Sequence, residues 1–176
     1  VMKFGGTSLA NWQRFLMAAD IIEESAKSES IATVLSAPAT VTNGLLDLVD
    51  LAQKGEEYSA VLNHIENVFN GLFEEAAEQL ISQQQKSLLE SKLASQLLDW
   101  NDKLTGVKLL NECPDHVQAQ VVVSGERLSA ALMEQVMLAK SLSAAQFDPT
   151  QLFLAHGKAL ESVVDISVSK PRFAAL

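Results

Sequence analysis

Val1-Met2-Lys3-Phe4-Gly5-Gly6-Thr7-Ser8 opens the chain. Four residues of strand character run into two glycines and two hydroxyl residues. From Leu9 onward the apolar positions Trp12, Phe15, Leu16, Ala19 and Ile22 recur at helical spacing. The stretch reads as strand, tight turn, helix, with Thr7 or Ser8 capping the helix. Two glycines let the backbone take φ > 0 and approach a ligand closely, and a helix start presents free N–H groups. Lys3 places a positive charge beside them. Gly5, Gly6, Thr7 and Ser8 with Lys3 would suit the β- and γ-phosphates of a nucleotide; a tight turn beside a solvated lysine is the competing reading. No Walker A pattern and no G-x-G-x-x-G occurs, so neither of those phosphate sites applies.

The same grammar repeats outward from this stretch. Ile31 to Leu35 is a β-branched run, followed by the polar turn Ser36-Ala37-Pro38-Ala39-Thr40-Val41-Thr42-Asn43 and a helix through Leu45, Leu46, Val49 and Ala52. Hydroxyls and helix N–H groups in that turn suit a carboxylate, against plain N-capping by Thr40 or Thr42. Residues 56–112 change character: Val61, Ile65, Val68 and Leu72, then Leu89, Leu93, Leu97 and Leu104 predict two long helices packed as a hairpin at the domain edge. Phe69, Phe73 and Trp100 read as core. Ala119 to Val123 reads as a strand buried on both faces, ending at Ser124-Gly125-Glu126-Arg127, with a helix from about Arg127 to Leu142. Ala145 to Phe147 and Phe153 to Ala155 are short strand candidates. Alternating strands and helices predict a largely parallel sheet in a three-layer α/β/α domain with a helical insertion. Ligands of such sheets sit beyond the carboxyl ends of the strands, and three of those ends here carry polar chemistry. Glu126 at the third either receives a substrate ammonium group or is a first-turn glutamate favoured by the helix dipole.

Composition bounds the partners. The chain has 176 residues, 48% of them hydrophobic and 20% charged, enough for one substantial core. A formal charge of −9 without a Lys/Arg cluster repels nucleic acid. No apolar run approaches the roughly 20 residues needed to cross a bilayer. No basic n-region followed by an apolar h-region opens the sequence. The single cysteine, Cys113, excludes an internal disulfide framework and points to a reducing, cytoplasmic compartment.

The three loops resemble the aspartokinase branch of the amino-acid kinase family. Lys3-Phe4-Gly5-Gly6-Thr7-Ser8 is similar to that family's opening K-F-G-G-T-S signature. Val34-Leu35-Ser36-Ala37-Pro38 with Thr42-Asn43 resembles its second loop, and Gly125-Glu126 with Arg127-Leu128-Ser129 its third. Glu112-Cys113-Pro114-Asp115 looks closest to the bifunctional aspartokinase–homoserine dehydrogenases. The resemblance covers essentially the whole chain, residues 1–176. It implies the amino-acid kinase fold and transfer of the ATP γ-phosphoryl group to the β-carboxylate of L-aspartate. By the same resemblance Lys3 balances charge on the transferring group and Gly5, Gly6, Thr7, Ser8 and Ser36 line the phosphates. Thr42 and Glu126 contact aspartate, Glu126 through the α-ammonium group, and Mg²⁺ arrives with ATP rather than in a protein cage. The family pattern continues with a further strand, a Gly-Arg-Gly segment, a nucleotide lobe and regulatory domains. These residues therefore read as the amino-acid-side lobe of a longer enzyme, weak or inactive alone, and its exposed helical faces imply a homo-oligomer.

Other readings compete. Ser124, Asp148 and His156 stand in the chain order of an α/β-hydrolase triad, but Val122 and Glu126 occupy the glycine positions of its G-x-S-x-G elbow. His64 and His116 lack a second ligand at zinc spacing. A non-catalytic amino-acid-binding or dimerising domain derived from a kinase is the main alternative. Sibling kinases acting on glutamate, acetylglutamate or UMP are disfavoured by Phe4, Thr7-Ser8 and Thr42-Asn43.

Overall fold

Parallel pairing of the first two strands organises the molecule. In the computed structural model, which describes residues 1–158 and 161–174, β1 (Met2–Phe4) pairs with β2 (Thr33–Leu35) in the register Met2–Thr33, Lys3–Val34, Phe4–Leu35. Met2, Phe4 and Leu35 pack on the helical core, while Lys3 and Val34 are exposed on the open face. A 3₁₀ turn (Gly6–Leu9) leads to α1 (Trp12–Ala26), and α2 (Val41–Gln53) follows β2. The helices α3 (Ser59–Gln79), α4 (Gln83–Leu110) and α5 (Asp115–Ala139) come next. A 3₁₀ turn (Pro149–Gln151), the antiparallel pair β3 (Ala155–His156) and β4 (Val163–Val164), and α6 (Ile166–Ala174) complete the described chain.

The hairpin expected within residues 56–112 is α3 and α4, joined by a tight turn. Ser82 starts α4 with a full capping box: its hydroxyl accepts from the Gln85 amide while the Gln85 side chain accepts from the Ser82 amide. Asn111 closes α4 in the left-handed conformation that asparagine tolerates. The hairpin does not lie at the edge. Both helices pack on α2, α4 also packs on α5, and Phe69, Phe73, Leu104 and Trp100 are fully buried in one continuous core. Trp100 donates its indole N–H to Ser124 Oγ at 2.7 Å, and the Ser124 hydroxyl donates to the Val121 carbonyl, so both enclosed polar groups are satisfied.

Two strand expectations are corrected. Ala119 to Val123 is helical, inside α5, which begins at Asp115 rather than near Arg127. The valine run carries strand propensity, yet Val121, Ser124, Gly125, Leu128 and Leu132 are buried at helical spacing while Val123 is exposed. Packing against α2 and α4 outweighs a local preference worth a few tenths of a kcal/mol per residue, of order 0.5. Ala145 to Phe147 forms no ladder, because the Gln146 amide donates to Glu134 Oε1 and its side chain to the Arg127 carbonyl. The strand expected at Phe153 to Ala155 falls at Ala155–His156, and Phe153 instead meets Phe173 in a tilted ring contact at 5.4 Å.

Glycines test the packing. A Cβ on Gly125 would stand 2.9 Å from Ala37 Cβ, 3.1 Å from Val41 Cγ1 and 3.2 Å from Leu45 Cδ1, whereas one on Gly106 in α4 would meet nothing within 4 Å. Gly125→Val is expected to lower stability by about 1–3 kcal/mol through overpacking. Gly106→Ala should raise it by up to about 1 kcal/mol through helix propensity. Urea midpoints check both; equal midpoints would contradict this packing.

Candidate active site

The parallel register sends both strands out at the same edge, so their following loops meet. The Ser36 amide donates to the Phe4 carbonyl at 3.0 Å, and the Ala39 amide to the Gly6 carbonyl at 3.0 Å. A Cβ on Gly6 would stand 2.8 Å from the Ala37 carbonyl oxygen, so glycine is required there by close approach. Neither Gly5 nor Gly6 uses positive φ: Gly5 is extended at φ −81° and ψ 168°, a correction to the expected conformational role. A Cβ on Gly5 would meet nothing within 4 Å. Gly5 therefore leaves room beside the turn, while Gly6 locks the turn to the second loop.

Thr7 and Ser8 are exposed in the 3₁₀ turn and cap nothing; the cap of α1 is Asn11, whose side chain accepts from the Arg14 amide at 3.0 Å. Arg14 in turn donates to the Thr7 carbonyl at 2.7 Å and fixes the turn from behind. Both hydroxyls are thus free of capping duty. Lys3, two residues before Gly5, is exposed and forms no ion pair among the described residues, unlike Lys27, Lys54, Lys86, Lys103 and Lys140.

In the second loop Ser36 is half-buried and Ala37 and Pro38 are buried. Thr40 holds φ 78°, a left-handed conformation that a β-branched residue adopts at a cost of about 1–3 kcal/mol. Its side chain makes no cap hydrogen bond, so capping does not account for the strain. Half-buried Thr42 lies in the first turn of α2. Nothing in the sequence marked Thr40 as strained, because that conformation ordinarily selects glycine or asparagine.

The third segment arrives from a helix interior rather than a strand end. Gly125 presses α5 against Ala37, Val41 and Leu45, which brings Glu126 to the same neighbourhood as the first two loops. Glu126 is half-buried, and its Oε2 is enclosed without a hydrogen-bond partner among the described residues. Ser129 Oγ and Trp12 Nε1 are enclosed in the same unpartnered way. A carboxylate oxygen removed from water without a donor is costly, and such groups mark ligand contacts. The hydrolase reading loses its nucleophile here: Ser124 is buried and bonded on both sides, and His156 faces Asp165 at 3.2 Å rather than Asp148.

The model of the amino acid kinase family matches residues 1–171. The chain belongs to the amino acid kinase family. It is 33% identical over 171 residues to a bifunctional aspartokinase/homoserine dehydrogenase of Buchnera aphidicola and 35% identical over 176 residues to that of Haemophilus influenzae. These alignments take in 97% and 98% of the chain, which spans 21% of the length of each relative. The fold matches E. coli aspartokinase III solved with aspartate and ADP, with a TM-score of 0.85 at 22% identity over 99% of this chain and 36% of that one. Clostridium acetobutylicum aspartate kinase matches at a TM-score of 0.64 and 18% identity, over 99% of this chain and 35% of its own. The α/β amino-acid kinase fold expected from the opening motif is thus the fold found.

Two further features bound the family chemistry. Among the described residues no three His, Cys, Asp or Glu side chains gather to hold a metal, and no helix is long and apolar enough to cross a membrane. Cys113 is a free, half-buried thiol whose pKa burial pushes up.

The two glycines separate experimentally. Gly6→Ala is expected to lower the melting temperature, since its Cβ collides with the backbone of the second loop. Gly5→Ala should leave it unchanged or slightly raised. A melt in which both variants behave alike would contradict the distinct roles assigned to them.

Proposed function

We propose that this chain supplies the aspartate-side lobe of an aspartate kinase, which transfers the γ-phosphoryl group of ATP to the β-carboxylate of L-aspartate. The observation carrying this reading is the convergence of Gly6, Ala37 and Gly125, which gathers a phosphate-type turn, a hydroxyl-bearing loop and an unpartnered carboxylate at one edge. Similarity to relatives named as aspartokinases supports the choice of substrate.

In this reading Lys3 offsets charge on the transferring phosphoryl group, and Gly5, Gly6, Thr7, Ser8 and Ser36 face the phosphates. The open space at Gly5 and the uncommitted hydroxyls of Thr7 and Ser8 fit that task. Thr42 and Glu126 hold aspartate, Glu126 through the α-ammonium group, whose positive charge would offset that of the half-buried carboxylate. The β-carboxylate attacks the γ-phosphorus as the bond to the ADP oxygen breaks, yielding β-aspartyl phosphate and ADP. Such transfer depends mainly on positioning and on stabilising the equatorial oxygens. Mg²⁺ would enter with the nucleotide and neutralise phosphate charge. Homo-oligomerisation in a cytoplasmic setting belongs to the same reading, and exposed Leu98, Leu109 and Leu110 of α4 offer apolar surface for it.

Steady-state kinetics of the full-length protein test the assignment. Lys3→Ala is expected to lower turnover by several orders of magnitude with the fold intact; a loss below about tenfold, roughly 1.4 kcal/mol, would contradict its role. Glu126→Ala should chiefly raise the aspartate KM, and an unchanged value would count against ammonium binding.

A further inference from the structure

Helix α5 encloses two serines and treats them differently. Ser124, 1% exposed, accepts from Trp100 and donates to the Val121 carbonyl. Ser129, also 1% exposed, has no hydrogen-bond partner among the described residues. A helical serine ordinarily turns its hydroxyl back to a carbonyl three or four residues earlier. Ser129 does not, and an enclosed polar group left unpaired is a cost that asks for an explanation.

A second unpartnered atom on the same helix supplies one. Glu126 Oε2 is enclosed three residues earlier, and that spacing puts the two side chains on one helix face with Cβ atoms about 5–6 Å apart. Helical side chains lean toward the N-terminus, so the Ser129 hydroxyl lies over the turn that holds Gly125 and Glu126. Gly125 contributes no side chain to separate them. The chemistry is complementary: a hydroxyl donates and an ionised carboxylate only accepts. Neither atom has a partner in the present conformation, so closing the bond takes a change of rotamer.

We propose that Ser129 is a positioning residue for Glu126, donating its hydroxyl hydrogen to Oε2 when the carboxylate engages a substrate ammonium group. Oε2 is then pinned against the helix, and Oε1 is aimed at the ammonium. This inference rests on the reading of Glu126 as the ammonium-binding carboxylate.

Calorimetric binding of aspartate and of succinate, which lacks the ammonium group, tests the inference on the full-length protein and its Ser129→Ala variant. The variant is expected to bind aspartate about tenfold more weakly, the loss of one hydrogen bond to a charged group. Its succinate affinity and ATP KM should not change, and its melting temperature should be unchanged or raised because an unpaired hydroxyl is gone. Equal aspartate affinity would overturn the positioning role while leaving the aspartate site in place. Equal losses for aspartate and succinate, or a lowered melting temperature, would make Ser129 structural and overturn it too. Absence of aspartate binding in the unaltered protein would overturn the reading of Glu126 and this inference together.

Discussion

The approach of α5 to the second loop, at Gly125 against Ala37, is the contact on which the site depends. Ala37 is shared: its carbonyl closes on Gly6 from one side and its methyl on Gly125 from the other. Remove the glycine on either side and a Cβ must enter space already filled by backbone or by a methyl group. Small residues at three positions thus let three chain segments, far apart in sequence, meet at one edge. The large side chains nearby, Trp12, Phe15, Leu45 and Trp100, then fill the core behind that edge.

Electrostatics adds a local exception to a global trend. The chain carries a formal charge of −9, which works against a polyanionic nucleotide at long range. Many of its lysines are committed: Lys140 joins Asp20 and Glu23 on α1, and hydrogen bonds to both carboxylates hold its pKa above the usual lysine range. Lys86 bridges Glu74 and Glu90 in the helical hairpin. Lys3 is exposed without an ion pair among the described residues, beside the turn where a phosphate would sit. A solvated lysine fits the competing reading of that turn equally well in isolation. The unpartnered oxygen of Glu126 and the strained Thr40 give the same edge two further features that a bland turn leaves unexplained.

Much of this was legible in the residues because local signals and tertiary packing agree. The strand-turn-helix of Lys3 to Ile22 and the hairpin of α3 and α4 follow from periodicity alone. Where they disagree, sequence misleads. Val121-Val122-Val123 carries the composition of a buried strand, and only contacts with α2 and α4 reveal the helix. Ser124 to Arg127 therefore lie inside α5 rather than at a strand end. Capping was misread at both helix starts, since Asn11 rather than Thr7 or Ser8 caps α1 and neither Thr40 nor Thr42 caps α2 by its side chain. The orphaned atoms of Ser129 and Trp12 left no trace in the sequence, because a missing partner is a property of packing rather than of residue type.

We propose that these three segments form the acceptor side of an aspartate kinase. Aspartate-dependent ADP release by the purified full-length protein, with glutamate as the control acceptor, tests it most directly. ADP release is expected with ATP and aspartate together, and none above background with glutamate. A correctly folded protein that releases no ADP with aspartate, or releases it equally with glutamate, would contradict it.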